Sequence, residues 1–305
     1  MAERGPSILV VTLCVVAIIV VAAVGGGFLY LANHKSPSAG PRTVGLNSNV
    51  TVNYIGLFGS GPEKGRVFDT SILADAKNNL SWPKSLMFQF RSNASQYTPL
   101  GVHVSPHTPS SGYSRNGVTF GGVVNGFWRG LLGLPGNVTR SITIPPGEGY
   151  GASNASCLLS APLVQHLPVV VSTPVAKFST AYPNVTKTAG TEFTDPEFHW
   201  TDLILSVNST AIAVEYLPTL GFVSHAPGWP VVVTNISAGQ LTLTSQIAPS
   251  QAGLILGHST TSVCSSKQFI VSAVDPGAGT YTQDFNREVV GQTLIFIVTV
   301  VDIYP

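Results

Sequence analysis

The sequence carries little charge. Asp, Glu, Lys and Arg make up 10% of its 305 residues, and the formal net charge is +1. An average soluble protein has roughly 25% charged residues. Because no Lys/Arg cluster is present, the chain lacks the electrostatic footprint of a nucleic-acid-binding protein, and that class is excluded. A polar but weakly charged surface, rich in Ser, Thr and Gly, is typical of an extracytoplasmic protein.

The common signatures of covalent, nucleotide-dependent and zinc-dependent enzymes are also missing. The sequence contains no G-x-S-x-G elbow, no P-loop and no H-E-x-x-H motif. His103 and His107 are separated by Pro106 in a predicted loop and do not lie on one helix, so we do not expect them to bind a metal. The glycine run at 147–151 follows two prolines and precedes no amphipathic helix, so it lacks the context of a nucleotide site. We therefore expect neither a metal nor a cofactor.

Cysteine is scarce as well. Of the three cysteines, Cys14 lies in an apolar segment, which leaves Cys157 and Cys264. Outside the cytoplasm these two residues can pair, and a bridge across so long a loop stabilises a fold by up to ~4–5 kcal/mol in the chain-entropy model. The alternative is two buried free thiols, and the sequence leaves both possibilities open.

One long apolar run is present, from Ser7 to Ala32, and it contains no charged residue. A span of ~20 apolar residues crosses the hydrocarbon core of a bilayer, whereas the apolar region of a cleaved signal peptide has only ~7–15 residues. The run predicts one transmembrane helix, with a cleaved signal peptide as the alternative. Arg4 precedes the run and Lys35 and Arg42 follow it, so the flanking charges do not decide the orientation.

Asn-x-Ser/Thr sequons decide the orientation instead. All eight follow the apolar run, and glycosylation modifies exposed sites on the non-cytoplasmic side. We therefore predict a single-pass glycoprotein of the cell membrane with an extracytoplasmic main domain. Accidental matches in a Ser/Thr-rich chain are the alternative. The sequons begin at Asn49, Asn79, Asn93, Asn137, Asn154, Asn184, Asn208 and Asn235.

Beyond a Pro/Gly/Ser-rich linker at 33–46, most patterns are those of β-structure. The apolar run at 293–303 predicts a central strand covered on both faces, and short helices are expected at 72–78 and 127–134. Whether the predicted hairpins are a true repeat or ordinary β-texture stays open. Alternation and turn residues predict strands at 50–55 and 140–144 and hairpins at 202–216, 229–244 and 268–282.

Five segments keep a particular order and spacing, although each alone reads as core strand and turn. They are VNYIGLF (52–58), VFDTS (67–71), VVNGFWRGLLGL (123–134), ITIPPGEGYG (142–151) and VVGQTLIFIVTVVDI (289–303). Together they resemble FKBP-type peptidyl-prolyl cis–trans isomerases, whose frame is V-x-Y-x-G, F-D-x-S, G-(F/W)-x-x-(G/A)-L-x-G, I-P-P-x-x-(A/G)-Y-G and L-x-F-x-V-x-V. The match covers about residues 48–151 and 284–303.

Three further segments resemble the long archaeal, SlyD-like branch of this family: FDTSILADAKNN (68–79), YTPL (97–100) and DFNREVVGQTL (284–294). In that branch a β-rich domain is inserted in the flap. With the anchor, the resemblance implies an α+β fold: an FKBP-like antiparallel β-sheet wrapped on a short helix, an inserted β-rich domain and one N-terminal transmembrane helix. The expected divisions are an anchor at 7–32, a linker at 33–46, an FKBP-like domain at 47–160 and 280–305, and an insert at 161–279.

For the site, the resemblance implies an apolar cup that holds a proline ring. Tyr150 is expected to donate a hydrogen bond to the substrate carbonyl, and Asp69 at the rim is expected to orient Tyr54. Phe127 replaces the usual Trp of the cup floor and Leu100 replaces an aromatic residue, while 105–118 has no counterpart in the frame. The cup-lining residues are expected to be Tyr54, Phe68, Leu100, Val123, Val124, Phe127 and Phe296.

The implied function is that of a peptidyl-prolyl cis–trans isomerase and folding chaperone for extracytoplasmic proteins. Its expected partners are unfolded or proline-containing polypeptides and, through the single span, the membrane. A catalytically weak FKBP-like chaperone or binding module is one alternative. A structural cell-surface β protein without a ligand is another.

Overall fold

The structure is a computed structural model that describes residues 42–106, 112–115, 117–237 and 239–304. From Thr43 onward the chain forms one compact unit. The helices are short: α1 (Leu73–Lys77), α2 (Asn125–Leu131) and α3 (Val175–Ala181). The strands are β1 (Asn49–Phe58), β2 (Val67–Thr70), β3 (Leu100–His103), β4 (Tyr113–Arg115), β5 (Val118–Phe120), β6 (Thr139–Ile144), β7 (Leu158–Pro162), β8 (Val164–Pro168), β9 (Val170–Pro174), β10 (Glu192–Thr194), β11 (Thr201–Val207), β12 (Ala211–Tyr216), β13 (Val223–Ser224), β14 (Val231–Ser237), β15 (Gln240–Ser245), β16 (Leu256–Val263), β17 (Ser266–Asp275), β18 (Thr280–Asp284) and β19 (Leu294–Tyr304).

A central antiparallel sheet has the order β2-β1-β19-β6, with β3 also paired to β1. Tyr54 of β1 pairs with Val298 of β19, and Ile142 of β6 pairs with Phe296 on the other side of β19. Every second residue of β19 is buried from Leu294 to Val300, while the residues between them are half-exposed. The strand is therefore central, as predicted, but only one of its faces is fully covered.

Helix α2 packs closely on β6. A Cβ atom at Gly126 would come within 2.6 Å of Ile144 Cγ2, and one at Gly130 would overlap the Ile142 side chain. Both glycines lie on the helix face toward the sheet, so they permit the close approach at the cost of helix propensity. The helix ends at Leu131, just before Gly133 adopts a φ of 77°, because Gly readily takes this left-handed conformation.

Residues 158–284 form three four-stranded sheets, which we call the three-sheet body. Each sheet contains three consecutive strands and one strand from the segment at 158–174. Strand β9 pairs with β12, β8 with β15 and β7 with β18. The pairing is therefore nested: the first strand of the segment joins the last sheet along the chain, and the third strand joins the first sheet.

The three sheets are equivalent units in detail. The segment at 158–175 has a period of six residues, and each five-residue strand ends in proline, at Pro162, Pro168 and Pro174. Proline is tolerated there because each of these strands lies at a sheet edge. The residue that follows each proline donates its N–H to a carbonyl beside a hairpin turn: Leu163 to Gly279 at 2.8 Å, Val169 to Gly239 at 2.7 Å and Val175 to Thr210 at 3.1 Å. The similarity of the predicted hairpins is therefore a structural repeat.

A disulfide joins Cys157 to Cys264, with the two Cα atoms 5.8 Å apart. Cys264 and Ser265 form the two-residue turn between β16 and β17, and both have positive φ angles, of 48° and 66°. The bridge therefore ties the tip of this hairpin to the start of β7. Of the two possibilities that the sequence left open, the structure contains the bridge.

The predicted fold class is wrong. Strands account for 44% of the chain and helices for 12%, and no FKBP-like fold is shown. An α+β protein has a larger helical share, whereas the helices here have five or seven residues. The physical reason is composition: glycines interrupt the candidate helices, and the abundant Val, Thr and Ile residues favour strands.

The prediction of a single-pass membrane protein is likewise corrected. Within the part of the chain that the structure describes, no helix is long and apolar enough to cross a membrane. The proposed span at 7–32 and most of the linker at 33–46 lie outside the described residues. One sequon is also unsuitable for modification, because Asn49 is buried and its Oδ1 accepts a hydrogen bond from His103 Nδ1 at 2.8 Å.

The expected insert boundaries at 161 and 279 fall within sheet pairing. Strand β7 begins at Leu158 and pairs with β18, which extends to Asp284. The three-sheet body therefore includes a few residues that the sequence analysis assigned to the flanking segments.

Candidate active site

Four aromatic rings from four elements meet beneath the central sheet. Tyr54 comes from β1, Phe68 from β2, Phe127 from α2 and Phe296 from β19. The Phe296 ring centroid lies 4.9 Å from that of Phe127, 5.4 Å from that of Phe68 and 6.0 Å from that of Tyr54. Three of the contacts, including that of Tyr54 with Phe127 at 6.3 Å, have edge-to-face geometry, which aromatic pairs prefer.

The aliphatic residues expected around the rings lie against the same cluster. Leu100, Val123 and Val124 are partly buried and pack on it, as does the Phe68 ring. Tyr54, Phe127 and Phe296 are at most 6% exposed, so they form the floor. The structure thus places all seven predicted cup residues in or against one hydrophobic core, in which the four rings contact one another. Leu100 reaches the cluster because β3 pairs with β1, with Leu100 opposite Val52.

Asp69 sits at the rim, where the Tyr54 hydroxyl donates a short hydrogen bond to Asp69 Oδ2. The backbone N–H of Thr70 donates to Asp69 Oδ1 at 2.8 Å, and Arg91 Nη2 lies 3.5 Å from the same oxygen. Burial and then the adjacent Asp69 carboxylate raise the pKa of Tyr54 well above its usual value. The phenol therefore stays protonated and holds its ring through the bond to Asp69.

Tyr150 follows the single helical turn at Pro146–Glu148 after one residue, Gly149, and lines the same cleft as Phe68 and Asp69. Its side chain is 37% exposed, and the Arg287 guanidinium lies 5.2 Å from the ring centroid. Burial raises the pKa of Tyr150, against the lowering effect of Arg287. A protonated, accessible hydroxyl at this place is a hydrogen-bond donor for a ligand at the cup.

A cleft of about 750 Å³ leads away from the rim. Its lining includes Phe68, Asp69 and Tyr150 as well as the two disulfide cysteines, Cys157 and Cys264. The cleft has the size of a site for a drug-sized ligand or a short peptide. Its remaining walls combine apolar, polar and charged residues: Met87, Gln89, Asn154, Ser265, Ser266, Gln268, Phe285, Asn286, Arg287, Glu288, Val289 and Val290.

The sequence analysis missed several residues of this site. Arg91 pairs with Asp69, Met87 and Gln89 line the cleft, and Arg287 covers Tyr150. None of them belongs to a motif of the frame. The mixture of apolar and polar residues at 87–91 could have predicted an extended segment, but nothing in it indicates a position beside the cup.

The segment at 105–118, which the frame does not explain, is described only in part. Strands β4 and β5 pair there, and Gly121 forms an isolated bridge with Val102. Of the two histidines considered for a metal, His107 lies outside the described residues, and His103 contacts Asn49. Across the described ranges, no group of three His, Cys, Asp or Glu side chains is arranged to hold a metal ion.

No protein-family model matches the chain, and none of the curated proteins matches it in sequence. The resemblance to FKBP-type isomerases therefore rests on the ordered motifs, and the functional argument rests on the geometry of the cup and cleft.

Proposed function

We propose that this protein is a peptidyl-prolyl cis–trans isomerase with chaperone activity toward unfolded polypeptides. One observation carries the proposal. The residues expected in the cup come from four of the five motifs and from the segment at 97–100, and they lie in or against one hydrophobic core, where the Tyr54 hydroxyl donates the expected hydrogen bond to Asp69. Core packing alone does not account for an acid and an accessible tyrosine at the rim of an apolar cup.

The chemistry requires neither a nucleophile nor an electron carrier. A prolyl peptide bond isomerises over a barrier of ~18–20 kcal/mol because its C–N bond has partial double-bond character. The twisted transition state has less charge separation than the planar amide. A water-poor cup of aromatic rings therefore favours the twisted form, and each 1.36 kcal/mol of such preference is tenfold in rate.

In this proposal each group has a separate role. Phe127 and Phe296 contact the proline ring from the floor, and Phe68 contacts it from the wall. Tyr150 donates to the substrate carbonyl. Asp69 is a positioning residue, because it fixes Tyr54 through a hydrogen bond and does not transfer a proton to substrate. The cleft beyond Tyr150 has room for residues that flank the proline.

Proline-limited refolding of an unfolded client protein tests the proposal directly. We expect the full chain to accelerate the slow phase and Phe68→Ala to reduce this acceleration by roughly ten- to a hundredfold, the range that one or two steps of 1.36 kcal/mol produce. Exposed Leu80→Ala is the matched control and should act like the wild type, because Leu80 is 96% exposed. An unchanged rate in Phe68→Ala would reject the assignment of the cup.

A chaperone with weak or no catalysis is the second candidate, and one observation favours it. The three floor residues are at most 6% exposed, so the cup offers little apolar surface to a ligand. Suppressed aggregation of the client without any acceleration of the proline-limited phase would identify this second function.

A further inference from the structure

A short strap forms one wall of the cleft beside the cup. We define the strap as Ser85–Met87. It is joined to β2 by hydrogen bonds on both sides: Val67 N–H donates to the Pro83 carbonyl at 2.8 Å, and Ser85 N–H donates to the Val67 carbonyl at 2.9 Å. Met87 then faces the cleft that also contains Phe68 and Tyr150. Through Met87, the strap therefore contributes to the wall of this cleft.

Two carboxyl groups from distant parts of the chain hold the strap. Glu63, in the β1–β2 connection, accepts the Leu86 N–H through Oε1 at 2.7 Å. Glu288, in the connection from β18 to β19, accepts the Ser85 hydroxyl through Oε1 at 2.8 Å and the Met87 N–H through Oε2 at 3.1 Å. Three successive strap residues thus bond to this pair of acids.

The pair is poorly compensated by cations. Glu63 is only 6% exposed. Arg66 is the cation that acts on Glu63, and Asp284 and Arg287 line the cavity of about 220 Å³ that adjoins both acids. Two neighbouring carboxylates that are both ionised repel each other, and removal from water makes the repulsion stronger. One proton between the two groups removes the repulsion.

The titration behaviour agrees with this arrangement. Burial raises the pKa of Glu288 to about 7, against the lowering effect of the Ser85 hydrogen bond, and the Glu63 carboxyl adds to the rise. Burial also raises the pKa of Glu63, although the Leu86 N–H and Arg66 lower it.

We propose that Glu63 and Glu288 are positioning residues that hold the strap against the cup through one shared proton, so that the cleft binds polypeptide more weakly once this proton is lost. The inference rests on the proposed function for its readout in catalysis. The bonds between the strap and the two acids do not depend on it.

The direction of the pH effect follows from linkage. The folded state retains a proton on Glu288 up to a higher pH than the unfolded chain does. The stabilisation is thus fully present below the ordinary carboxyl range and is lost as the pH rises through about 7. The strap should be closed at pH 5 and loosened at pH 8.5.

The decisive variant is Glu63→Gln. A glutamine at 63 keeps an oxygen for the Leu86 N–H and supplies a permanent N–H to the Glu288 carboxylate, which keeps both of its own bonds. For the wild type we expect KM for an extended proline-containing peptide to rise roughly tenfold from pH 5 to pH 8.5, the change that 1.36 kcal/mol gives, with kcat nearly constant. In Glu63→Gln, KM should stay low at both pH values. Glu192→Gln, on an exposed residue of β10, should keep the wild-type profile.

A second measurement is independent of catalysis. Hydrogen exchange at the Leu86 and Met87 amides, corrected for the intrinsic pH effect, should lose about tenfold in protection over the same range in the wild type and none in Glu63→Gln. Equal protection at both pH values in the wild type, or an unaltered loss in Glu63→Gln, would overturn the inference. A protein that shows this exchange pattern but isomerises no peptide would instead refute the proposed function alone.

Discussion

Asp202 is the residue that fits its surroundings least. It occupies the first half of β11 at the position that Val231 has in β14 and Phe269 has in β17, since all three lie two residues before the strand bulge. All three side chains are buried, and Asp202 is 0% exposed. Within the described residues neither of its carboxylate oxygens has a partner in good hydrogen-bond geometry, although the Trp200 indole and the Asp195 carboxyl lie near enough to act on its pKa. An ionised carboxylate is strongly destabilised in such a place.

A neutral Asp202 resolves the conflict. Burial, and then the nearby Asp195, raise the pKa of Asp202 to about 7. Of the two carboxyl groups, Asp195 is the one with donors in place to stabilise a negative charge. It accepts hydrogen bonds from the Tyr182 hydroxyl at 3.0 Å and from the N–H groups of Glu197 and Phe198 at 2.7 and 2.6 Å. The folded chain therefore binds a proton at Asp202 that the unfolded chain releases near its ordinary carboxyl pKa.

We predict that Asp202→Val stabilises the protein by about 1–4 kcal/mol at pH 8, the range found when buried charges are replaced by apolar residues. Valine is the residue of the equivalent position in the second sheet. Because the folded pKa of Asp202 is raised, the wild type loses stability as the pH rises from about 4 through about 7, and this loss levels off above that pH. Asp202→Val should lack this contribution. Urea unfolding at pH 4.5 and pH 8 measures both effects.

Glu192→Gln, on the exposed edge strand of the same sheet, serves as the control and should leave the pH slope unchanged. A lower stability of Asp202→Val than of the wild type at pH 8 would show that neighbouring groups stabilise the buried Asp202 carboxylate.

The packing of the expected cup residues on one core could be predicted because each belongs to a short segment with characteristic spacing, whereas their role as a binding site stays a prediction. Asp69 follows Phe68 directly, and Phe127 lies within a glycine-bounded helix. Glu288 and Asp202 could not be predicted, because their roles depend on which distant segments pack beside them. From the sequence alone, an acidic residue in a β-rich chain is predicted to lie at the solvent-exposed surface.

At the scale of secondary structure, the junction of α2 and β6 depends on two residues without side chains. Gly126 and Gly130 each allow a branched residue of β6 to lie directly against the helix backbone. The helix in turn supplies Phe127 to the cup floor and Trp128, whose indole N–H donates to Asn125 Oδ1 at 3.2 Å. The spacing between helix and sheet therefore fixes the depth of the cup.

We predict that Gly130→Ala destabilises the protein by about 1–3 kcal/mol, as expected for overpacking. Alanine is intrinsically favoured over glycine in a helix by roughly 1 kcal/mol, so a net loss would demonstrate the overlap with Ile142. Thermal or urea unfolding provides the measurement. Gly136→Ala is the control, because a Cβ atom there meets nothing within 4 Å, and it should be nearly neutral. Stabilisation by Gly130→Ala would contradict the close packing.

The elements that were predicted best are those with strong periodicity. The three hairpins, β1, β6 and both short helices coincide closely with the expected ranges. Strands β7, β8 and β9 were not predicted, because each has five residues, ends in proline and is edge-exposed, so none has an alternating buried face. Their sheet assignment depends on partner residues at least 37 positions further along the chain (Pro174 with Ala211), and no local pattern indicates such partners.

At the scale of the whole molecule, the two ends of the three-sheet body lie close together, so the body can be removed as one unit. The Gly291 N–H donates to the Gly151 carbonyl at 2.8 Å, and the Asn154 N–H donates to Asn286 Oδ1 at 3.0 Å. Both ends of the body thus leave the central sheet at neighbouring points. A short linker can join them without rearranging the cup.

We predict that replacing residues 155–285 by a short Gly-Ser linker weakens suppression of client aggregation more than isomerisation of a short proline-containing peptide. The cup residues all lie outside the removed segment, whereas much of the cleft wall lies within it. Aggregation of an unfolded client followed by light scattering, beside a peptide isomerisation assay, separates the two activities. Equal loss of both, in a variant whose circular dichroism shows a folded central sheet, would contradict this division of function.

Nested pairing has a consequence for the order in which the chain assembles. The partner of β9 follows it soonest along the chain, the partner of β8 (β15) comes later, and the partner of β7 (β18) comes later still. Strand β1 can pair with β19 only after the whole three-sheet body has been synthesised. Contacts of larger sequence separation close larger loops and form more slowly. A growing chain would therefore complete its sheets from the innermost outward, and Phe296 would enter the cup among the last residues. The ring cluster on which the proposed activity depends would then be complete only when the last strand of the central sheet has paired.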